Sequence, residues 1–261
     1  MLIINADDFG KSMETTNNIV MCFREKRITS SSAMVFMQDS ERAASLDFEN
    51  SFEVGLHLNF DEQFTGDVPA LRVKEYLTQT AAFLTGSKLR QVMYNPMLQR
   101  QFEYLYNVQY EEFIRLYRRP PSHINGHHHR HLCSNVLFGR IIPDGSRVRR
   151  SFTFMKGERS FGNRLYRRAV DTVLKRRYIT TDMFFAASPA VEPNYLMQKV
   201  ELAKNHNVEL MVHLSSQREV EYLMRQDFID SIGEVPRGTY RDLPVRTTSK
   251  DPVRTDVSTN L

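Results

Sequence analysis

Short apolar runs alternate with segments of helical spacing along this chain, and that alternation restricts its architecture more than any other feature. Leu2-Ile3-Ile4 is a continuous apolar run, the pattern of a strand covered on both faces in a parallel sheet. Residues 14–26 follow with helical spacing, Ile19, Cys22 and Phe23 on one side. Thr29 to Phe36 reads as a second strand, Glu53 to Phe60 as a third, and Phe64 to Ala70 as a loop. In Met93 to Arg118 apolar residues recur at turn spacing, and Pro120-Pro121 ends that helix. Ser122 to Gly126 is a short strand, and Ser146 to Arg150 is carried as a further one. A basic helix (Leu165 to Lys175), a strand (Tyr178 to Phe185), a helix (Tyr195 to Asn205) and a strand (Val208 to Leu214) complete the series. Strands that alternate with helices predict βαβ units and a parallel sheet or barrel.

No boundary interrupts this pattern, so one domain is expected over residues 1–243. The polar tail 244–261, in which Pro-Val-Arg-Thr occurs twice, is expected to be disordered. No apolar run approaches the roughly 18 residues that would span a bilayer. The N-terminal residues lack the basic and apolar regions of a secretory signal, which makes the cytoplasm the expected location. Cys22 and Cys133 fit no metal or redox spacing and read as reduced, packed thiols. The net charge is only +4, and much of the excess lies between Arg147 and Arg177. That stretch, Arg149 and Arg150 included, reads as a solvated helix face, with an anionic partner as the lesser reading. Its low aromatic content argues against nucleic acid.

Polar groups stand at the C-terminal ends of several of these strands: Asp7 and Asp8, His57, His127 and His213. In parallel α/β folds the loops at that edge converge, so groups distant in sequence meet there. Four of the eight histidines fall in His127-His128-His129-Arg130-His131, and neutral imidazole is the commonest protein ligand for transition metals. His127 and His131, four apart, can share a helix face. Each residue has a plainer reading: Asp8 as a helix cap with Asp7 exposed, His57 as a hydrogen-bonded core histidine, the cluster as a solvated turn. Asp7 and Asp8 are adjacent and would point to opposite faces of an extended strand, unless the chain turns there.

Asn5-Ala6-Asp7-Asp8-Phe9-Gly10, Gly55-Leu56-His57-Leu58, Gly126 to His131 and Glu209 to His213 occur in the order found in the YdjC/chitooligosaccharide deacetylase-like family, which the chain resembles from Met1 to Tyr240. The resemblance implies an α/β fold, a (β/α) TIM-like barrel that is incomplete, with about seven strands. It implies removal of an N-acetyl group from an amino sugar, with one divalent metal ion, Mg or Zn. By this match Asp8, His57 and His127 look like metal ligands, Asp7 like the general base and His213 like the acid. His129, His131, Arg147 and Asp182 are carried as substrate-side contacts. Asn125 stands where relatives commonly have Asp, and Leu214-Ser215 where they often have Pro-Gly or Pro-Ala.

The chemistry agrees with the resemblance. An ion held by one carboxylate and two imidazoles keeps positions open to polarise a carbonyl and acidify water, while a second carboxylate, free to titrate, takes a proton. The expected partner is an N-acetylated sugar, and a homodimer is carried by analogy with the fold alone. Two alternatives stay open: a weakened barrel that only binds sugars, and a 2-His-1-carboxylate Fe(II) oxygenase.

Overall fold

The computed structural model describes residues 1–46, 53–154, 160–187, 193–233 and 235–245. Among these, six strands form one all-parallel sheet: β1 (Leu2–Phe9), β2 (Ser30–Ala33), β3 (Val54–Leu58), β4 (Ile124–Gly126), β5 (Met183–Ala186) and β6 (Val208–Val212). Their spatial order is β4-β3-β2-β1-β6-β5, which puts β1 near the centre. Helical crossovers include Met13–Arg24, Gln99–Tyr117 and Phe161–Arg177, all anticipated from spacing. The helix Leu71–Thr85 was not anticipated.

The seventh strand is reduced to two isolated bridges. Val148 pairs with Ile124 beside β4, and Arg147 pairs with Ile179, ahead of β5. Residues 146–149 thus touch both sheet edges through backbone hydrogen bonds of 2.8–3.0 Å. The segment makes only these isolated bridges and no ladder, and the next side chain, Arg150, binds Asp171.

Side chains alternate across each strand, and here the two faces differ sharply in chemistry. Leu2, Ile4 and Ala6 of β1 join the main apolar core, with Val54, Leu56 and Leu58 of β3 and Leu210 and Val212 of β6. The residues between them, Asn5, Asp7, Ser30, Ser32, His57, Asn125 and Glu209, are buried and polar. Apolar contacts on that side include the small cluster of Ile3, Tyr240 and Leu243, contributed partly by the segment after Val235. Leu2-Ile3-Ile4 is buried throughout, as the apolar run predicts, but Ile3 packs apart from its neighbours.

Gly55 belongs to this polar face, and its missing side chain is needed. A Cβ there would come within 2.5 Å of the His123 ring, which stacks on Tyr240 at 4.0 Å between centroids. Both rings are buried and have nowhere to go. Gly55→Ala is expected to destabilise the protein by about 1–3 kcal/mol through overpacking, read as a lower midpoint in urea unfolding.

Cys22 and Cys133 are buried and free, and burial pushes their thiols up to about 11 and about 12. No helix among the described residues is long and apolar enough to cross a membrane. The expectation for the tail falls, from Arg246 onward, outside the described residues.

Candidate metal centre and active site

The adjacent carboxylates are brought together by a bulge. Along β1 the register passes from Ala6 opposite Ser31 to Phe9 opposite Ala33, so β1 carries one extra residue. Asp8 takes up the difference with φ +69°, a left-handed conformation that Asp tolerates better than most residues. Asp7 and Asp8 can therefore both serve the polar side of the sheet.

Asp8 Oδ1 lies 3.3 Å from His57 Nε2 and 3.1 Å from His127 Nδ1, all three residues buried. The three ligand atoms fall within 4.8 Å of one another, so this trio can hold a metal ion. The far nitrogens of both rings face oxygen. His57 Nδ1 is 2.7 Å from Asn125 Oδ1, its cross-strand neighbour, and His127 Nε2 is 2.5 Å from Glu62 Oε2. Protons on those outer nitrogens leave two imidazole lone pairs and a carboxylate oxygen aimed at one point. Such an arrangement can accept a cation at its centre, and outer oxygen partners of this kind commonly orient metal-bound histidines. Burial pushes the His57 ring toward neutrality, but Asp7 and Asp8 outweigh it and raise its proton affinity. The site attracts positive charge in either form.

The Asn125 amide has two orientations, each suited to one His57 tautomer. With Oδ1 toward His57, the ring donates from Nδ1 and Nε2 is free for a metal. Turned over, the amide accepts from Arg149 at 3.0 and 3.2 Å, but its NH2 then faces Nδ1 and forces the ring proton onto Nε2, against Asp8. Of the two, the first orientation is the one that would leave His57 Nε2 free for a metal.

Asp7 is not free to titrate as the sequence reading expects. Arg149 grips it with two hydrogen bonds of 2.6 and 2.7 Å, and Asn5 and Ser32 donate at 2.9 and 3.0 Å. Burial would raise its pKa, but Arg149 above all, with His57 beside it, overrides burial and holds the carboxyl far below the ordinary carboxylate range. Arg149 is itself fully buried and also binds Glu209 at 2.7 Å, whose other oxygen accepts from the Tyr240 hydroxyl. Nothing in the basic run singles this arginine out by charge. Period-two alternation does: Val148 belongs to the core, and the residues on either side of it point the other way. Glu62 was also missed. Asn59 places it by accepting from the Asp61 and Glu62 amides and donating to the Glu62 carbonyl.

His213 follows β6, with its side chain 40% exposed and Nε2 4.0 Å from Asp7 Oδ2. Its backbone amide donates to Glu219 at 2.7 Å. Asp7, Asp8, His57, His127 and His213 thus gather at one edge, as expected of C-terminal strand ends.

Four expectations need correction. Arg147 lies at the opposite end of the fold, donating to the Arg241 carbonyl, because residue 147 pairs with Ile179, ahead of β5. Asp182 precedes β5 and accepts from the Asn207 amide, so it too sits at the N-terminal edge. His131 is fully buried, with Nε2 3.1 Å from the Arg149 carbonyl, and supports that arginine from behind. His127 and His131 share no helix face, because His128 and His129 adopt left-handed conformations that break the turn. His129 packs edge-on against Phe152 at 4.6 Å and lines a neighbouring cavity of about 330 Å3. A larger cavity of about 660 Å3 lies between the helix Met13–Arg24 and Arg237–Asp242, away from these groups.

One carboxylate and two imidazoles at the C-terminal ends of parallel strands give this α/β protein a buried trio at its loop edge that could hold a metal ion. The sequence profile of the family described as YdjC-like protein matches residues 1–240, and the chain belongs to that family. It is 34% identical over 140 residues to a chitooligosaccharide deacetylase of Proteus mirabilis, covering 52% of each chain. It is 31% identical over 144 residues to one of Yersinia pestis, again 52% of each. With a carbohydrate deacetylase of Danio rerio it shares 27% identity over 146 residues, 55% of this chain and 46% of the other. The chain thus spans about half the length of the relatives it matches. A crystal structure from Enterococcus faecalis V583, described as a candidate cellobiose-phosphate cleavage protein, shares the fold with a TM-score of 0.63. That similarity covers 92% of this chain and 97% of the other at 20% identity.

Proposed function

We propose that the protein is a metal-dependent hydrolase that removes the N-acetyl group from an amino sugar and releases acetate. The observation that carries this reading is the trio Asp8, His57 and His127 with a second carboxylate, Asp7, beside it and His213 across from Asp7. The names of the relatives support a carbohydrate substrate. The trio would hold one divalent ion, Mg or Zn, which when bound polarises an amide carbonyl and makes water more acidic.

The chain's own groups do the rest. Asp7, held ionised by Arg149, accepts a proton at Oδ2, the oxygen facing His213. Its low basicity suits it only to a strongly acidified donor. His213, at the open side, donates a proton to the departing nitrogen. Glu62 and Asn125 keep the two imidazoles turned inward. The parallel α/β scaffold disfavours the Fe(II) oxygenase alternative, whose sites usually occur on β-sandwiches.

Metal-loaded protein is expected to release acetate from N-acetylated sugar oligomers. Asp7→Asn keeps the shape but loses the proton acceptor and should lower kcat by about 100-fold to 10,000-fold. His127→Ala should abolish turnover. Acetate release that persists in both variants would refute the assignment, and saturable sugar binding without turnover would favour a binding protein.

A further inference from the structure

β6 ends at Val212, so His213 stands just beyond its ladder, and the turn that follows fixes it. The Ser216 amide donates to the His213 carbonyl at 3.1 Å, and Asn18, from the helix Met13–Arg24, donates to the Leu214 carbonyl at 2.9 Å. The third tie comes from Glu219. It stands three residues after Ser216, the N-cap of the helix Gln217–Met224. A glutamate at that position usually reaches back to the amide of the cap itself. Here the cap's amide is already given to His213, and Glu219 Oε2 reaches further, to the His213 amide at 2.7 Å.

Glu219 is half-buried, and among the described residues it forms no salt bridge with a lysine or arginine. Burial raises its carboxyl. The His213 amide and then the charge of the His213 ring oppose that rise, and Asp7 adds to it. Carboxylate and ring therefore feel each other's charge as well as sharing a turn.

An acid that donates to a departing nitrogen must first be held as a cation, which calls for an anion nearby. The charged groups facing His213 are Asp7 from β1, Arg149 beyond Asp7, and Glu219 from the helix Gln217–Met224. Asp7 Oδ2 lies 4.0 Å from Nε2, but the same oxygen accepts from Arg149 at 2.6 Å. That guanidinium largely cancels the attraction Asp7 offers and itself repels an imidazolium. Glu219 is the facing carboxylate that no arginine neutralises.

We propose that Glu219 is a positioning residue for His213, fixing the ring through its backbone amide and supplying the negative charge that keeps it an acid. The catalytic consequence rests on the N-deacetylase reading; the pairing of Glu219 with His213 does not.

Three variants of the full chain test it. Glu219→Gln keeps an oxygen for the His213 amide and loses the charge, and Glu219→Ala loses both. Glu221→Gln removes one charge from the exposed side of the same helix, where Glu221 accepts only from Gln217. In NMR titrations of the metal-loaded protein, the His213 ring should lose its proton at lower pH in Glu219→Gln than in the wild type. A shift of about half a pH unit or more is expected for a partly exposed ring, and none in Glu221→Gln. With N-acetylated sugar oligomers the basic limb of kcat against pH should move the same way, with KM unchanged. Glu219→Ala, which also frees the turn, should lower kcat by about a further tenfold. A His213 titration that ignores Glu219→Gln would overturn the proposal, and so would a basic limb that stays in place. Equal shifts in Glu221→Gln would trace the effect to diffuse helix charge and overturn it too. If the titration responds to Glu219→Gln in a protein that releases no acetate, the pairing stands and the deacetylase reading falls.

Discussion

Arg149→Met should be the most damaging single substitution in the described structure, costing roughly 3–5 kcal/mol or more. One guanidinium serves two buried carboxylates, Asp7 and Glu209, and lies 4.8 Å over the Phe184 ring. Methionine fills much of the volume but leaves both carboxylates without their cation in a site that excludes water. Against a total stability of about 5–15 kcal/mol, such a loss removes a large share. The pH dependence distinguishes lost charge from lost packing. In the wild type Asp7 has a pKa far below its unfolded value, so its contribution is fully present above about pH 4 and fades only as pH falls through that range. In the variant the largest influence opposing burial is gone, so both carboxyls rise, and protonation then relieves the unpaired charge. The deficit measured by urea unfolding should therefore shrink as pH falls from about 8 to about 5. A deficit that is flat with pH would mean that packing, not charge, is the main loss.

The same arginine marks the limit of what the sequence discloses. Strand ends are legible because buried parallel strands must be apolar and polar residues directly after them stand out: Asp8, His57 and His127 follow that logic and meet. Within the histidine cluster, however, spacing misleads. Two left-handed residues send His127 to Asp8, leave His128 exposed beside Asp61, and bury His131 under Arg149, and backbone sign is not written in side-chain type. Arg147 and Arg149 are chemically alike and two apart, yet one donates to Arg241 and the other to Asp7. Which end of a strand a residue occupies depends on register with neighbours far away in sequence. Asp182 fails for the same reason, standing ahead of its strand instead of after it. Glu62 depends on a turn built by Asn59, local but irregular, and carries no period to detect. The fold class was legible because periodicity is local; the wiring of the buried polar face was not, because it is set by pairing.

Asp8→Asn should separate the metal from the fold. Asparagine accepts the left-handed backbone that Asp8 requires, which alanine does not, so the apo protein should retain its structure. What is lost is the single anionic ligand that faces both imidazoles. Replacing a residue that only orients a ligand typically costs 10–100-fold in metal affinity, the loss expected for Glu62→Gln. Removing the ligand charge itself should cost more than about 100-fold, measured by titration with Zn or Mg. Thermal denaturation gives an independent reading. A metal at a hundred times its Kd stabilises the native state by about 2.7 kcal/mol, a rise of roughly 5–10 °C in Tm for a chain of this size. Chelation should reverse that rise in the wild type and do nothing in Asp8→Asn. The acid side carries its own signature. Because Asp7 and Asp8 make His57 hold its proton more tightly than an ordinary imidazole, protons compete with the metal from above the usual value of about 6.5. Metal affinity should therefore begin to fall while pH is still above that value. If Asp8→Asn binds the ion as tightly as the wild type, the ligands lie elsewhere, and Asp8, His57 and His127 form only a hydrogen-bonded cluster.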